Sequence, residues 1–126
     1  MWIKAASWWS GSEMKPQALK RLIDALQAIE AIERFTAGLD LDSYLNNELL
    51  QAAVERKLEI LGKALKKASE AEANLTDAIP DLRAIISTRN RIIHVYDEVD
   101  QLILWDAISN DLDQLEKDIK TILERS

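Results

Sequence analysis

Hydrophobic residues recur at three- and four-residue intervals along most of this chain, the period of helices that bury one face. Leu19, Leu22, Ile23, Leu26, Ile29, Ile32 and Phe35 form one such stripe. They predict a helix from Pro16, a favoured first-turn residue, to Ala37, with Gly38 ending it. Leu50, Val54, Leu58, Leu61, Leu65 and Ala68 predict a second helix from Glu48 to Ala71. Gly62 inside it reads as a point of close backbone packing. Between the two, residues 39–47 make a short connection, in which Asp42 caps a turn and Asn46-Asn47 start the next element. Asn74 to Asp77 reads as loop, and Pro80 opens a third helix with Leu82, Ile85, Ile86, Ile92, Ile93 and Tyr96 on its apolar face. A fourth helix begins near Asp100 with a seam of Leu102, Trp105, Ile108, Leu112, Leu115, Ile119 and Ile122, which places Trp105 in the core. Strand-like alternation is absent. The expected fold is all-α, an antiparallel up-down helical bundle.

Composition narrows the class. The chain has 126 residues, 48% hydrophobic and 30% charged, which fits one globular domain. No apolar run approaches the roughly 20 residues needed to cross a bilayer, so no membrane role is expected. The absence of cysteine excludes disulfides and thiolate metal sites and fits a cytoplasmic location. One histidine makes a zinc site an unexpected feature, so the metal expectation is none. The net charge of −6 disfavours general nucleic-acid binding; any such contact must use a patch more basic than the whole. Residues 1–14 stand apart, with Trp2, Trp8 and Trp9 followed by Ser-Gly-Ser. They read as an appended or poorly ordered extension, with Met14 a candidate original start and residues 15–126 the domain proper. The other reading has the tryptophans covering an apolar groove on the body or on a partner.

The chemistry concentrates in Arg89-Asn90-Arg91-Ile92-Ile93-His94-Val95-Tyr96. Arg89 falls inside the apolar stripe of its helix, where an unpaired guanidinium costs several kcal/mol. It therefore needs an anionic partner, either a bound phosphate or a carboxylate such as Glu55 or Glu59. His94 carries the side chain that exchanges protons near neutral pH. At about 100° per residue, five positions set it roughly 140° around a straight helix from Arg89. Asn90 and Ser87 share the histidine's strip, and Tyr96 returns to the arginine's face. Either the helix breaks near His94 or a cleft between two copies gathers the groups. By spacing alone, a purely structural histidine remains a competing reading.

The spacing Arg89-Asn90-x-x-x-His94-x-Tyr96 resembles the R-x(4)-H-x-Y signature of HEPN domains, and more narrowly the HepT-like toxins of HepT–MntA toxin–antitoxin pairs. The resemblance extends to residues 28–38, residues 53–62, Ile79-Pro80 and the stretch from Val99 through Trp105-Asp106. It runs from about Leu19 to Arg125 and leaves the tryptophan-rich start without a counterpart. It implies a HEPN-like homodimer whose signature residues line a cleft at the interface, and RNA cleavage that needs no metal or cofactor. Arg89 and His94 would be the catalytic pair and Asn90 a supporting residue. Tyr96 would be the site at which a nucleotidyltransferase antitoxin attaches AMP. The implied role is the RNase toxin of a bacterial or archaeal type II-like or type VII pair, with a narrow RNA substrate such as a tRNA end. Lys63, Lys66, Lys67, Arg83, Arg89 and Arg91 are candidates to border one groove, whereas Asp97, Glu98 and Asp100 oppose a broadly basic surface.

Two other readings stand beside this one. In the first, the dimer is a non-catalytic module that holds nucleotide or RNA, or docks a minimal nucleotidyltransferase. In the second it is a structural helical oligomer, with Arg89 neutralised by an internal carboxylate.

Overall fold

A computed structural model describes residues 14–80, 82–87 and 100–125 of the chain. The signature residues Arg89, Asn90, His94 and Tyr96, the cation Arg91, and Trp2, Trp8 and Trp9 lie outside the described residues. Among the described residues the regular structure is entirely helical, as the periodicity predicts. In chain order the elements are α1 (Pro16–Thr36), α2 (Leu41–Leu45), α3 (Glu48–Ala71) and α4 (Leu75–Ala78). Next comes α5, helical over 82–87, then α6 (Gln101–Asn110) and α7 (Leu112–Glu124).

Among the described residues, helices α1 and α3 make the most extensive packing. They are antiparallel, because the Lys15 backbone N–H at the start of α1 donates to Glu72 Oε1 at the end of α3 (2.9 Å). Helix α1 ends one residue short of the expected boundary. Gly38 follows it with φ +74, a left-handed conformation that other residues adopt at a cost. Helix α3 starts and stops as its stripe predicts, and every apolar position of that stripe is buried. Its N-terminus is capped by Asn47, whose side-chain oxygen accepts the Leu50 N–H at 3.0 Å. Gly62 is buried in α3, in keeping with a packing role.

The stripe on α1 needs correction. Ile23 is 44% exposed, while Ala18, Ala25, Ala28 and Ala31 are buried. The helix turns its small residues inward, where they permit a close approach that larger side chains on the same face would prevent. Met14 also joins the core, at 5% exposure.

Three further expectations change. Asp40, not Asp42, caps α2; its Oδ1 accepts the Ser43 N–H at 2.9 Å, and this bond holds the Asp40 carboxyl below its usual range. Residues 74–77 are not all loop, because α4 forms there and buries Leu75. The last helix is two. It starts as expected at Asp100, whose Oδ1 accepts the N–H groups of Leu102 (3.0 Å) and Ile103 (3.3 Å), but it breaks at Asp111. The break lets the two halves bury different registers. Leu112, Leu115, Ile119 and Ile122 face inward on α7, whereas α6 buries Leu104 and Ala107 and leaves Leu102 57% exposed.

Candidate functional site

The described residues frame the signature segment on both sides. On its upstream side, α5 is fixed to the body by Leu82 and Ile85, at 1% and 0% exposure, and the Leu82 N–H donates to the Ile79 carbonyl at 3.1 Å. Pro80 sits in the turn before it, where its missing N–H and fixed φ suit a helix start. On the downstream side the chain re-enters the described structure at Asp100 and is immediately clamped. The Tyr44 hydroxyl donates to Gln101 Oε1 at 2.6 Å, and Gln101 Nε2 donates to Glu55 Oε2 at 2.7 Å. The Tyr44 ring, fully buried, packs on Trp105 with centroids 5.0 Å apart and planes tilted by 38°. Burial and then the nearby Glu55 charge push the Tyr44 phenol well above its ordinary pKa, so it remains a hydrogen-bond donor. One tyrosine, one amide and one carboxylate thus tie α2, α3 and the first turn of α6 together. Trp105 is partly buried against the core, as expected.

This clamp was not evident in the sequence. Tyr44 and Gln101 are 57 positions apart and Glu55 and Gln101 are 46 apart, and neither amide nor phenol stands out from its neighbours. Of the two carboxylates considered as partners for Arg89, Glu55 accepts from Gln101, and Glu59 pairs with Arg56 at 3.5 Å on the surface of α3.

A groove of about 550 Å³ runs between α1 and α3. Lys63 lines it, and Lys67 lines a second depression that shares Arg21 with it. Lys66 and Arg83 line neither. The cations lining the α1/α3 groove are Arg21 and Arg34 of α1 and Arg56, Lys57 and Lys63 of α3; the expected border with Arg89 and Arg91 lies outside the described residues.

A second polar cluster lies between α1 and α7. The Glu33 carboxyl is raised to about 7, first by burial, then by its hydrogen bond to Glu116 and that group's charge, with Asp113 adding and Lys120 opposing. Lys120 Nζ in turn sits 3.3 Å from Glu116 Oε2. Among the described residues, no group of three or more His, Asp or Glu side chains is arranged to hold a metal ion. No described helix is long and apolar enough to cross a membrane.

Comparison with known proteins supplies what the geometry alone does not. The family model described as "Ribonuclease HepT-like" matches residues 25–122, a span that contains the whole of Arg89 to Tyr96. "Probable ribonuclease HepT" from Thermococcus cleftensis is 35% identical over 102 residues, covering 81% of this chain and 92% of its own length. Two Methanocaldococcus jannaschii proteins are similar over comparable spans. "Putative RNase MJ0127" is 31% identical, with 80% of this chain and 86% of its own length covered. "Putative RNase MJ0125" is 29% identical, with 82% and 88% covered. No solved structure matches this chain. With most of its length matched, its helices in the expected order and the Arg-Asn-x-x-x-His-x-Tyr spacing intact inside the matched span, the chain belongs to the HepT-like ribonuclease family.

Proposed function

We propose that this protein is the RNA-cleaving toxin of a toxin–antitoxin pair and that it works without a metal ion or cofactor. The observation that carries the reading is the complete signature, Arg89, Asn90, His94 and Tyr96, inside the span matched by a ribonuclease family. In this reading the Arg89 guanidinium grips the scissile phosphate with two parallel N–H donors and stabilises the charge that builds on it. The neighbouring 2′-oxygen attacks phosphorus as its proton leaves, and the bond from phosphorus to the 5′-oxygen breaks. A 2′,3′-cyclic phosphate and a 5′-hydroxyl result. His94 moves the proton at the 2′-oxygen or at the departing 5′-oxygen, a contribution of about 10²–10⁴-fold. Asn90, four positions before His94 in the sequence, orients the imidazole or the phosphate.

The roughly 140° between Arg89 and His94 on a regular helix favours a site shared by two copies of the chain, so the active species is a homodimer. A nucleotidyltransferase antitoxin silences it by joining the α-phosphorus of ATP to the Tyr96 oxygen and releasing pyrophosphate. The adduct adds negative charge and bulk beside the phosphate-binding arginine. The natural setting is the cytoplasm, and an acidic chain suits a narrow substrate such as a tRNA end. The catalytic domain spans residues 15–126, with Met14 packed on its core.

The test is cleavage of RNA in EDTA by purified protein, set beside Arg89→Ala and His94→Ala. Loss of about a hundredfold or more in each variant is expected. Undiminished cleavage by both would remove the mechanism. Incubation with the antitoxin and ATP should add AMP to the wild type and not to Tyr96→Phe; an unchanged adduct on that variant rejects the site.

A further inference from the structure

The groove between α1 and α3 carries a charge surplus that the internal ion pairs leave unspent. Five cationic side chains and three carboxylates line it. Asp24 is taken by Lys20 and Arg21 at 3.3 and 3.9 Å, and Glu59 by Arg56 at 3.5 Å. Among the described residues, Arg34, Lys57 and Lys63 then have no carboxylate within ion-pair distance, and Glu30 is the one acid left in the groove to oppose them. The floor is made of Ala28, Ala31, Ile60 and Ala64, with the three alanines at 3% exposure. Among the described residues, no aromatic ring lines it. The shallow depression that shares Arg21 adds Lys67, one turn beyond Lys63, together with Glu70, so the lysines from Lys57 to Lys67 span about 15 Å of α3.

We infer that this groove is a secondary RNA-binding track that holds the phosphodiester backbone of a single strand of the substrate. The inference rests on the ribonuclease reading above and extends it to where the rest of the substrate lies. Three features select this occupant. Charge is one: in a chain of net charge −6 a polyanion can settle only where cations outnumber acids, and α7 across the bundle holds four carboxylates against two lysines. Shape is the second, because a small-residue floor lets a strand approach the helix backbones closely. The third is that the described lining offers no stacking platform. Bases gain sequence-tolerant affinity from aromatic faces, and a groove without them grips backbone and reads no sequence.

The inference predicts a particular salt dependence. Each phosphate neutralised on a single strand contributes about −0.7 to the slope of log K against log salt. Combining Arg34→Gln, Lys57→Gln and Lys63→Gln should therefore flatten that slope by about 2. Fluorescence anisotropy with a labelled single-stranded RNA measures it, in a His94→Ala background so that the probe stays intact. At low salt the triple variant should bind about tenfold or more weakly, and Lys63→Gln alone should remove about a third of the slope change. Lys117→Gln on α7 is the control and should leave binding as it was. In the background that retains His94, the triple variant should raise KM and leave kcat within about twofold, the pattern of lost uniform binding. Arg34 and Lys63 are exposed and Lys57 half-buried, so thermal melting should confirm an intact fold.

Equal affinity and slope for the triple variant overturn the track while leaving the cleavage chemistry untouched. Groove-dependent RNA binding by a protein that never cleaves RNA has the opposite meaning: the track stands and the nuclease reading falls. If poly-glutamate of matched charge binds as tightly, with the same dependence on the three cations, the groove is a dock for an acidic protein surface and the track is overturned.

Discussion

Replacing Gln101 by leucine tests whether the Tyr44–Gln101–Glu55 clamp fixes the chain where it leaves the signature segment. The substitution keeps helix propensity, shortens the side chain by one atom and removes both polar atoms of the amide. Two hydrogen bonds disappear, the 2.6 Å bond from the Tyr44 hydroxyl and the 2.7 Å bond to Glu55. A neutral hydrogen bond contributes about 1 kcal/mol, and one to a charged group about 1.5–3 kcal/mol. The combined loss is about 3 kcal/mol, because the buried phenol and the half-buried carboxylate are both left without this partner. For 126 residues an unfolding entropy of about 2.1 cal/mol/K per residue converts this to a fall of about 11 °C in Tm. Tyr44→Phe removes only the phenolic bond and should cost about 1 kcal/mol, or about 4 °C. In a double-mutant cycle, Gln101→Leu should cost about 1 kcal/mol less in the Tyr44→Phe background than in wild type. Differential scanning calorimetry reads all three. A fall of less than about 2 °C for Gln101→Leu, or strict additivity with Tyr44→Phe, would show that the amide carries no such load.

Three other outcomes follow from local features. Glu33, raised to about 7 by burial and by Glu116, is easier to protonate in the folded protein than in the unfolded chain. Its contribution to stability is therefore full below about pH 4.5 and lost as pH rises through about 7. Solvent access limits the effect to about 1 kcal/mol, and urea midpoints across pH 4.5–8 should show it vanish in Glu33→Gln. Asp100→Ala removes the cap of α6 and should cost about 0.5–2 kcal/mol by urea unfolding; an unchanged midpoint would deny the cap its role. Gly38→Ala meets no atom within 4 Å, so its cost is the backbone conformation alone, about 1–2 kcal/mol. A neutral result there would mean that the turn relaxes to negative φ.

The sequence made the two long helices legible because each closes with strong local chemistry. Pro16 and Gly38 bracket α1, and Asn47 caps α3. Local chemistry misled where two candidates competed. Asp40 and Asp42 are equally good capping types, and only the geometry of the turn selects Asp40. Reading stripes by large residues put Ile23 and Leu102 inside, yet both are exposed. The true contact face of α1 is rich in alanine, whose small volume hides it from such a count. The Asp111 break escaped notice because the three-and-four spacing runs on through it, from Ile108 to Leu112. The family was legible for a different reason. Arginine, histidine and tyrosine at fixed offsets are rare enough to mark a family, and the match over residues 25–122 agrees with them. The Tyr44–Gln101–Glu55 clamp and the α1/α3 groove depend on which helices meet, and no local pattern encodes that.

The most direct test of the central claim is the chemistry of the ends produced from RNA. Wild-type protein in EDTA should leave 2′,3′-cyclic phosphate and 5′-hydroxyl termini, detected by mass spectrometry of the fragments, and His94→Ala should leave the RNA whole. Ends of another kind, or the same fragments from His94→Ala at an undiminished rate, would contradict the account.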